Sequence, residues 1–246
     1  MNNTEVEQVG RDVIDLSNNI EVSPFIAELL NQPEVYQELK ELLELEDVGE
    51  FKGRFESSYK HSLDTAKIAE VVYDNYLVGN SAERFEKIDK ETLVKAALLH
   101  DIGKDRIPLD ILVKEGKLTP SEITKVRAHS VNGAKKIQAI ANQPDFEGDR
   151  EKMWIISEVV KRHHFYSEGY PDMGELWEHP DEEKRALIEE VSKVLSVIDI
   201  FDALRSQRSY SKEPASASVV REILLNKIPG EEELVEFLIS NFIKEK

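Results

Sequence analysis

The run Ala96-Ala97-Leu98-Leu99 leads directly into His100-Asp101-Ile102-Gly103-Lys104. Four consecutive apolar residues belong in a core, so this chain must carry an imidazole and a carboxylate to that core's edge. Burying an unpaired carboxylate is expensive, and a metal ion is one way to offset the cost. Adjacent His and Asp can both reach one cation where a helix ends or bends, and Gly103 permits such an ending. Lys104 then lies close enough to meet an anionic substrate. Taken alone, the pair is equally well the polar end of an ordinary helix, and the rest of the sequence has to decide.

The surroundings read as helix throughout. Stretches of Glu, Lys, Leu and Ala favour that state, and nine Pro and eleven Gly in 246 residues are too few for a turn-rich β protein. Ser23-Pro24 opens a helix that Pro33 interrupts, and Glu34 to Leu45 is a second amphipathic piece. From Ser57 to Leu77, His61, Thr65, Ile68 and Val72 share one face. Lys90 to His100 is short and nearly all apolar, and one helical turn is expected between Ile107-Pro108 and Gly116. Thr119-Pro120-Ser121-Glu122 is a helix-start signal for a helix with Val126, His129, Gly133, Ile137 and Ile140 on one face. Arg150 to His164 places Ile156, Val160 and His163 in a stripe. Residues 165–181 read as loop. Glu182 to Ser206 turns Ile188, Val191, Leu195, Ile198 and Asp202 inward, with Asp199 alongside. Two amphipathic helices close the chain.

The absence of Cys excludes a disulfide framework and a thiolate zinc site. The net charge is −17, and residues 1–50 set thirteen acids against Arg11 and Lys40. Such a surface argues against duplex nucleic acid and anionic membranes as partners. It leaves room for a small anionic substrate at a locally cationic or metal-bearing site. With no signal-peptide pattern and no apolar run of about 20 residues, a cytoplasmic location is expected. Residues 1–50 read as an acidic accessory helical segment, able to cover the main domain or to form a homodimer contact. Residues 51–246 read as the main domain.

Five of the six histidines, His61, His100, His129, His163 and His164, fall on inward faces or at helix ends, as do Asp101 and Asp199. One inward His is more often a hydrogen-bonded core residue than a ligand, but a single metal site accounts for all of these positions together. The intervals are each about one helical hairpin, so a bundle gathers them at one level. Ligands of this kind without Cys suit Fe or Mn, with Zn, Co or Ni also admissible. Asp101 is placed to bridge two ions, and a close metal pair suits in-line phosphoryl displacement. His179, beside Pro180, is expected to be an ordinary loop residue.

These residues resemble the HD superfamily of metal-dependent phosphohydrolases. More narrowly, His100-Asp101-Ile102-Gly103-Lys104, His129, His163-His164, Gly169-Tyr170-Pro171, and Asp199 to Leu204 with Arg208 and Tyr210 resemble the HD-GYP subfamily. The resemblance covers about residues 57–226. It implies an all-α HD-domain bundle and a centre of two or three metals. By the same resemblance His61, His100, Asp101, His129, His163, His164 and Asp199 are metal ligands. Lys104 contacts the scissile phosphate and protonates the leaving oxygen, Arg208 holds a phosphate, and Gly169, Tyr170 and Pro171 line the substrate pocket. Asp202 is expected to support the ligands from behind.

The implied activity is phosphodiester hydrolysis of a cyclic dinucleotide, cyclic di-GMP to pGpG or GMP, by a hydroxide bridging two divalent ions. Three departures bear on it. Ser57 stands where three-metal members carry Glu, which favours two ions. Phe165 follows the His pair where Glu is usual, and the loop from His164 to Gly169 is shortened and lacks the usual Asp-Gly. The alternatives are an HD hydrolase for another nucleotide or phosphoester, and a nucleotide-binding sensor or scaffold without turnover.

Overall fold

The Asp89 carboxylate accepts the Thr92 N–H at 3.0 Å and caps the helix that the others surround. The computed structural model describes residues 22–46, 58–78, 85–114, 116–205 and 215–243. In chain order the helices are α1 (Pro24–Leu30), α2 (Pro33–Glu46), α3 (Ser58–Val72), α4 (Lys90–Leu99), α5 (Leu109–Leu112), α6 (Pro120–Arg127), α7 (His129–Ala141), α8 (Arg150–Arg162), α9 (Glu182–Arg205), α10 (Ala217–Lys227) and α11 (Glu232–Phe242). A π-helical turn, Tyr73–Leu77, extends α3, and 3-10 turns form at Ile102–Arg106 and Gly174–Glu178. Among the described residues there is no strand, so the fold is all-α as expected.

Helix α4 is buried from Thr92 through Leu99. A helix apolar on every side needs partners on every side, and α3, α8, α9 and α2 supply them. Lys95, inside this shell, is 4% exposed and rests on Glu91 at 2.9 Å. The faces expected to turn inward do so: Ile156 and Val160 on α8, and Ile188, Val191, Leu195 and Ile198 on α9, are all fully buried. Ser23 caps α1 by accepting the Ile26 N–H, and Pro24 is the first helical residue. Ile26, Leu29, Leu30, Val35 and Leu39 of α1 and α2 join the same core as the main helices. The described helices contain none long and apolar enough to cross a membrane.

Two expectations need correction. The helix starting at Pro120 does not run on to Ile140, because a turn at Ala128 divides it into α6 and α7. There the His129 ring bonds the Val126 carbonyl and competes with the helix for that acceptor. Val126 and Ile140, both expected on the inward face, are only half-buried. Gly103 does not act as a left-handed helix stop, since positive φ occurs only at Gly116, Gly169 and Gly230 among the described glycines. Its role is close approach: an added Cβ would lie 2.1 Å from the His129 carbonyl oxygen. The start signal at Thr119 forms as a capping box with Glu122.

Candidate metal centre

Three histidines share one construction. His100 Nδ1 donates to the Ala97 carbonyl at 2.8 Å, His129 Nδ1 to Val126 at 2.7 Å and His163 Nδ1 to Val160 at 2.7 Å. Each ring sits at a helix boundary and folds back on the carbonyl three residues earlier. A carbonyl only accepts, so each Nδ1 carries the proton and each neutral ring keeps a bare Nε2. All three rings are at most 2% exposed.

Those bare nitrogens converge. His129 Nε2 and His163 Nε2 are 3.3 Å apart, and His100 Nε2 is buried with no hydrogen-bond partner. Lone pairs facing one another across a dry gap are unfavourable unless a proton or cation stands between them. Burial pushes the His129 imidazolium down to about 4, overriding the Asp101 charge, and the Lys104 and His164 charges act in the same direction as burial. Burial and three neighbouring histidines hold His163 well below its ordinary value too. A proton is therefore a poor occupant at neutral pH, and a divalent cation fits the donors.

The carboxylates tie the cluster together. Asp101 Oδ2 lies 3.4 Å from His100 Nε2 and its Oδ1 lies 3.5 Å from His129 Nε2. Asp199 Oδ1 is 2.9 Å from His61 Nε2 and 3.8 Å from His100 Nε2, while its Oδ2 is 3.8 Å from His164 Nδ1. Two groups able to hold a metal result, His61 with His100 and Asp101, and His129 with His163 and His164. Asp101 and Asp199 each touch both groups.

His61 is built differently. Its Nδ1 meets Asp202 Oδ2 at 2.7 Å and its Nε2 meets Asp199. Burial lowers its pKa, but the hydrogen bonds to Asp199 and Asp202 and the nearby carboxylates outweigh that and raise it to about 9. Asp202 is 1% exposed and is held in turn by Arg205 at 2.9 Å, a partner that the sequence reading missed. Lys104 Nζ stands 2.5 Å from Asp101 Oδ2. Burial raises the Asp101 carboxyl, but the neighbouring Lys104 ammonium leads the opposing effects that hold it well below its usual range.

A cavity of about 610 Å³ opens over the cluster. His61, Asp101, Lys104, His129, His164, Tyr170 and Asp199 reach its wall, while His100 and His163 lie beneath it. Of the expected pocket loop only Tyr170 lines the cavity, its ring 4.6 Å from that of His164. Gly169 serves the backbone instead. It has φ +82°, and a Cβ there would lie 2.3 Å from Arg127 Nη1. Pro171 is not part of the wall, and Arg208 lies outside the described residues.

The sequence reading missed Tyr166, Ile223 and Lys227, all on the cavity wall. Tyr166 Oη is 3.0 Å from His164 Nδ1, and its place two residues after the His pair was the only signal for it. Phe165 packs half-buried against the core. His179 pairs its ring with Trp154 and accepts the Asp181 N–H through Nδ1, as a loop residue would.

The family model "HD domain" matches residues 58–204. The chain belongs to the HD domain family. A probable cyclic di-GMP phosphodiesterase of Vibrio cholerae is 35% identical over 138 residues, 55% of this chain and 28% of that relative. A cyclic di-GMP phosphodiesterase of Thermotoga maritima is 32% identical over 148 residues, 58% of this chain and 35% of the relative. A 3'3'-cGAMP-specific phosphodiesterase of Vibrio cholerae is 29% identical over 158 residues, 63% of this chain and 27% of the relative. The matched stretch spans about a third or less of each relative's length.

Proposed function

We propose that this chain is a metal-dependent phosphodiesterase for a cyclic dinucleotide, with cyclic di-GMP the first choice. The observation carrying the reading is the pair of facing, unprotonated Nε2 atoms of His129 and His163, 3.3 Å apart in a buried pocket beside Asp101. The relatives' names agree on the class of substrate and divide over the bases.

His61, His100, Asp101, His129, His163, His164 and Asp199 would hold two divalent ions, with Fe or Mn preferred over Zn, Co or Ni. Bound there, such a pair supplies Lewis acidity at the phosphoryl oxygens and a water deprotonated at neutral pH. The protein's own contribution is positioning. The carbonyls of Ala97, Val126 and Val160 fix three imidazoles in one tautomer, and Asp202 orients His61. Lys104, with its ammonium at the cavity wall, binds the scissile phosphate and delivers a proton to the leaving oxygen. Tyr170 offers a ring face to a base, and Arg208 is assigned to a phosphate.

A second reading, hydrolysis of another phosphoester, is favoured by Phe165, which sends an apolar ring toward the core after the His pair. Anaerobically purified, metal-loaded protein should contain two ions per chain and convert cyclic di-GMP to pGpG or GMP, while Asp101→Ala loses both metal and turnover. Turnover of linear nucleotides alone would select the second reading. Metal with dinucleotide affinity and no turnover would select a binding role. Sizing of the same protein tests the proposed homodimer contact of the N-terminal helices.

A further inference from the structure

Lys227 ends α10, beyond the stretch matched by the family model. It lines the cavity that also contains His164 and Asp101. Its Nζ stands 4.9 Å from the centroid of the Tyr166 ring, and the hydroxyl of that ring is 3.0 Å from His164 Nδ1. A single aromatic side chain therefore separates this ammonium from the histidine cluster.

Most of the described lysines pair with an acid, and several exposed ones do not. Lys95, Lys104, Lys136 and Lys152 each rest on a carboxylate, as expected where 49 acids outnumber 32 Lys and Arg. Among the described residues Lys227 makes no ion pair, and its recorded contact is the face of Tyr166. A ring face attracts an ammonium by roughly 0.5–1 kcal/mol and leaves its three N–H donors uncommitted. The adjacent wall is apolar, with Leu204, Ala215 and Ile223, a surface suited to a flat base. Lys104, by contrast, sits at the centre on Asp101.

We propose that Lys227 binds the second phosphate of a two-phosphate substrate while Lys104 serves the scissile one, so that the cavity selects cyclic dinucleotides over esters with one phosphate. The proposal rests on the phosphodiesterase reading above. A charge-assisted contact of this kind corresponds to about a tenfold change in affinity.

The test compares the metal-loaded 246-residue chain with Lys227→Gln and Lys227→Arg on cyclic di-GMP and on bis(p-nitrophenyl) phosphate. Lys227→Gln should raise KM for cyclic di-GMP about tenfold, well beyond its effect on the one-phosphate ester, and Lys227→Arg should recover most of the loss. Equal shifts on both substrates, or none, would overturn the proposal. The residue would then be a cation answering the α10 dipole, seen as a lowered Tm alone. If the parent chain does not turn over cyclic di-GMP, the phosphodiesterase reading fails separately. Equilibrium binding of cyclic di-GMP then decides: a tenfold weakening in Lys227→Gln supports the proposal, and equal affinity overturns it.

Discussion

Gly103 packs against the backbone at His129 so closely that a Cβ would stand 2.1 Å from the His129 carbonyl oxygen and 2.4 Å from the Gly133 nitrogen. This approach joins the 3-10 turn after Asp101 to the start of α7. It sets the 3.5 Å separation of Asp101 Oδ1 and His129 Nε2. Backbone cannot move aside as a flexible side chain can, so Gly103→Ala should force the two segments apart. The expected result is a loss of about 1–3 kcal/mol of stability and reduced metal content, read by denaturant melts and elemental analysis.

Asp202 Oδ2 holds His61 Nδ1 at 2.7 Å and touches the cluster only through that ring. Asp202→Asn keeps the shape and removes the charge. Metal affinity should fall about 10–100-fold, the usual effect of losing a residue that orients a ligand. Competition with a chelator measures it, and helicity by circular dichroism should be retained.

Arg162 is 1% exposed, pairs with Glu158, and donates through Nε to the Asp172 carbonyl at 2.9 Å. It thereby anchors both ends of the loop that carries His163, His164 and Tyr170. Arg162→Ala leaves the half-buried Glu158 without its partner and the Asp172 carbonyl without its donor, which should cost about 1–3 kcal/mol. Pairing Arg162→Met with Glu158→Leu should be milder than Arg162→Ala alone, as judged by urea unfolding.

Lys136 of α7 clasps Glu38 at 2.5 Å, Glu41 at 2.9 Å and Asp105 at 2.8 Å. Burial lowers its pKa, but the bonds to Asp105, Glu38 and Glu41 outweigh that and raise it above its ordinary value. The clasp connects α2 to the residue after Lys104. Lys136→Met should loosen the packing of α2 on the domain without detaching its apolar face, and amide hydrogen exchange across 33–46 should accelerate relative to the parent chain.

Glu122 accepts from Lys114 and from the Thr119 N–H, which lowers its carboxyl to about 2. Its folded-state pKa lies below the unfolded value, so the stabilisation is complete above the ordinary carboxylate range. It is lost as pH falls toward 2. The start of α6 should therefore fray between about pH 4.5 and pH 2, visible in the amide shifts of Glu122 and Ile123, and Glu122→Gln should remove that pH dependence.

Local patterns in the sequence were enough for the all-α class, the inward faces of α3, α8 and α9, the Thr119 capping box, and the gathering of five histidines with Asp101 and Asp199. Helical period and cap chemistry are short-range, and a buried polar set leaves its trace in residue type. The tertiary structure decided what depends on long-range packing. It made Gly103 a close-approach residue rather than a helix stop, divided the helix at Ala128, and paired Asp202 with His61 across 141 residues of chain. It also kept Tyr170 on the cavity wall while Gly169 serves the loop's backbone and Pro171 lies off the wall, and it brought in Tyr166 and Lys227. No period or motif marks those two, because their neighbours come from other helices. The tautomers of His100, His129 and His163 belong to the same category, since they follow from where each ring lands against a carbonyl at a helix end.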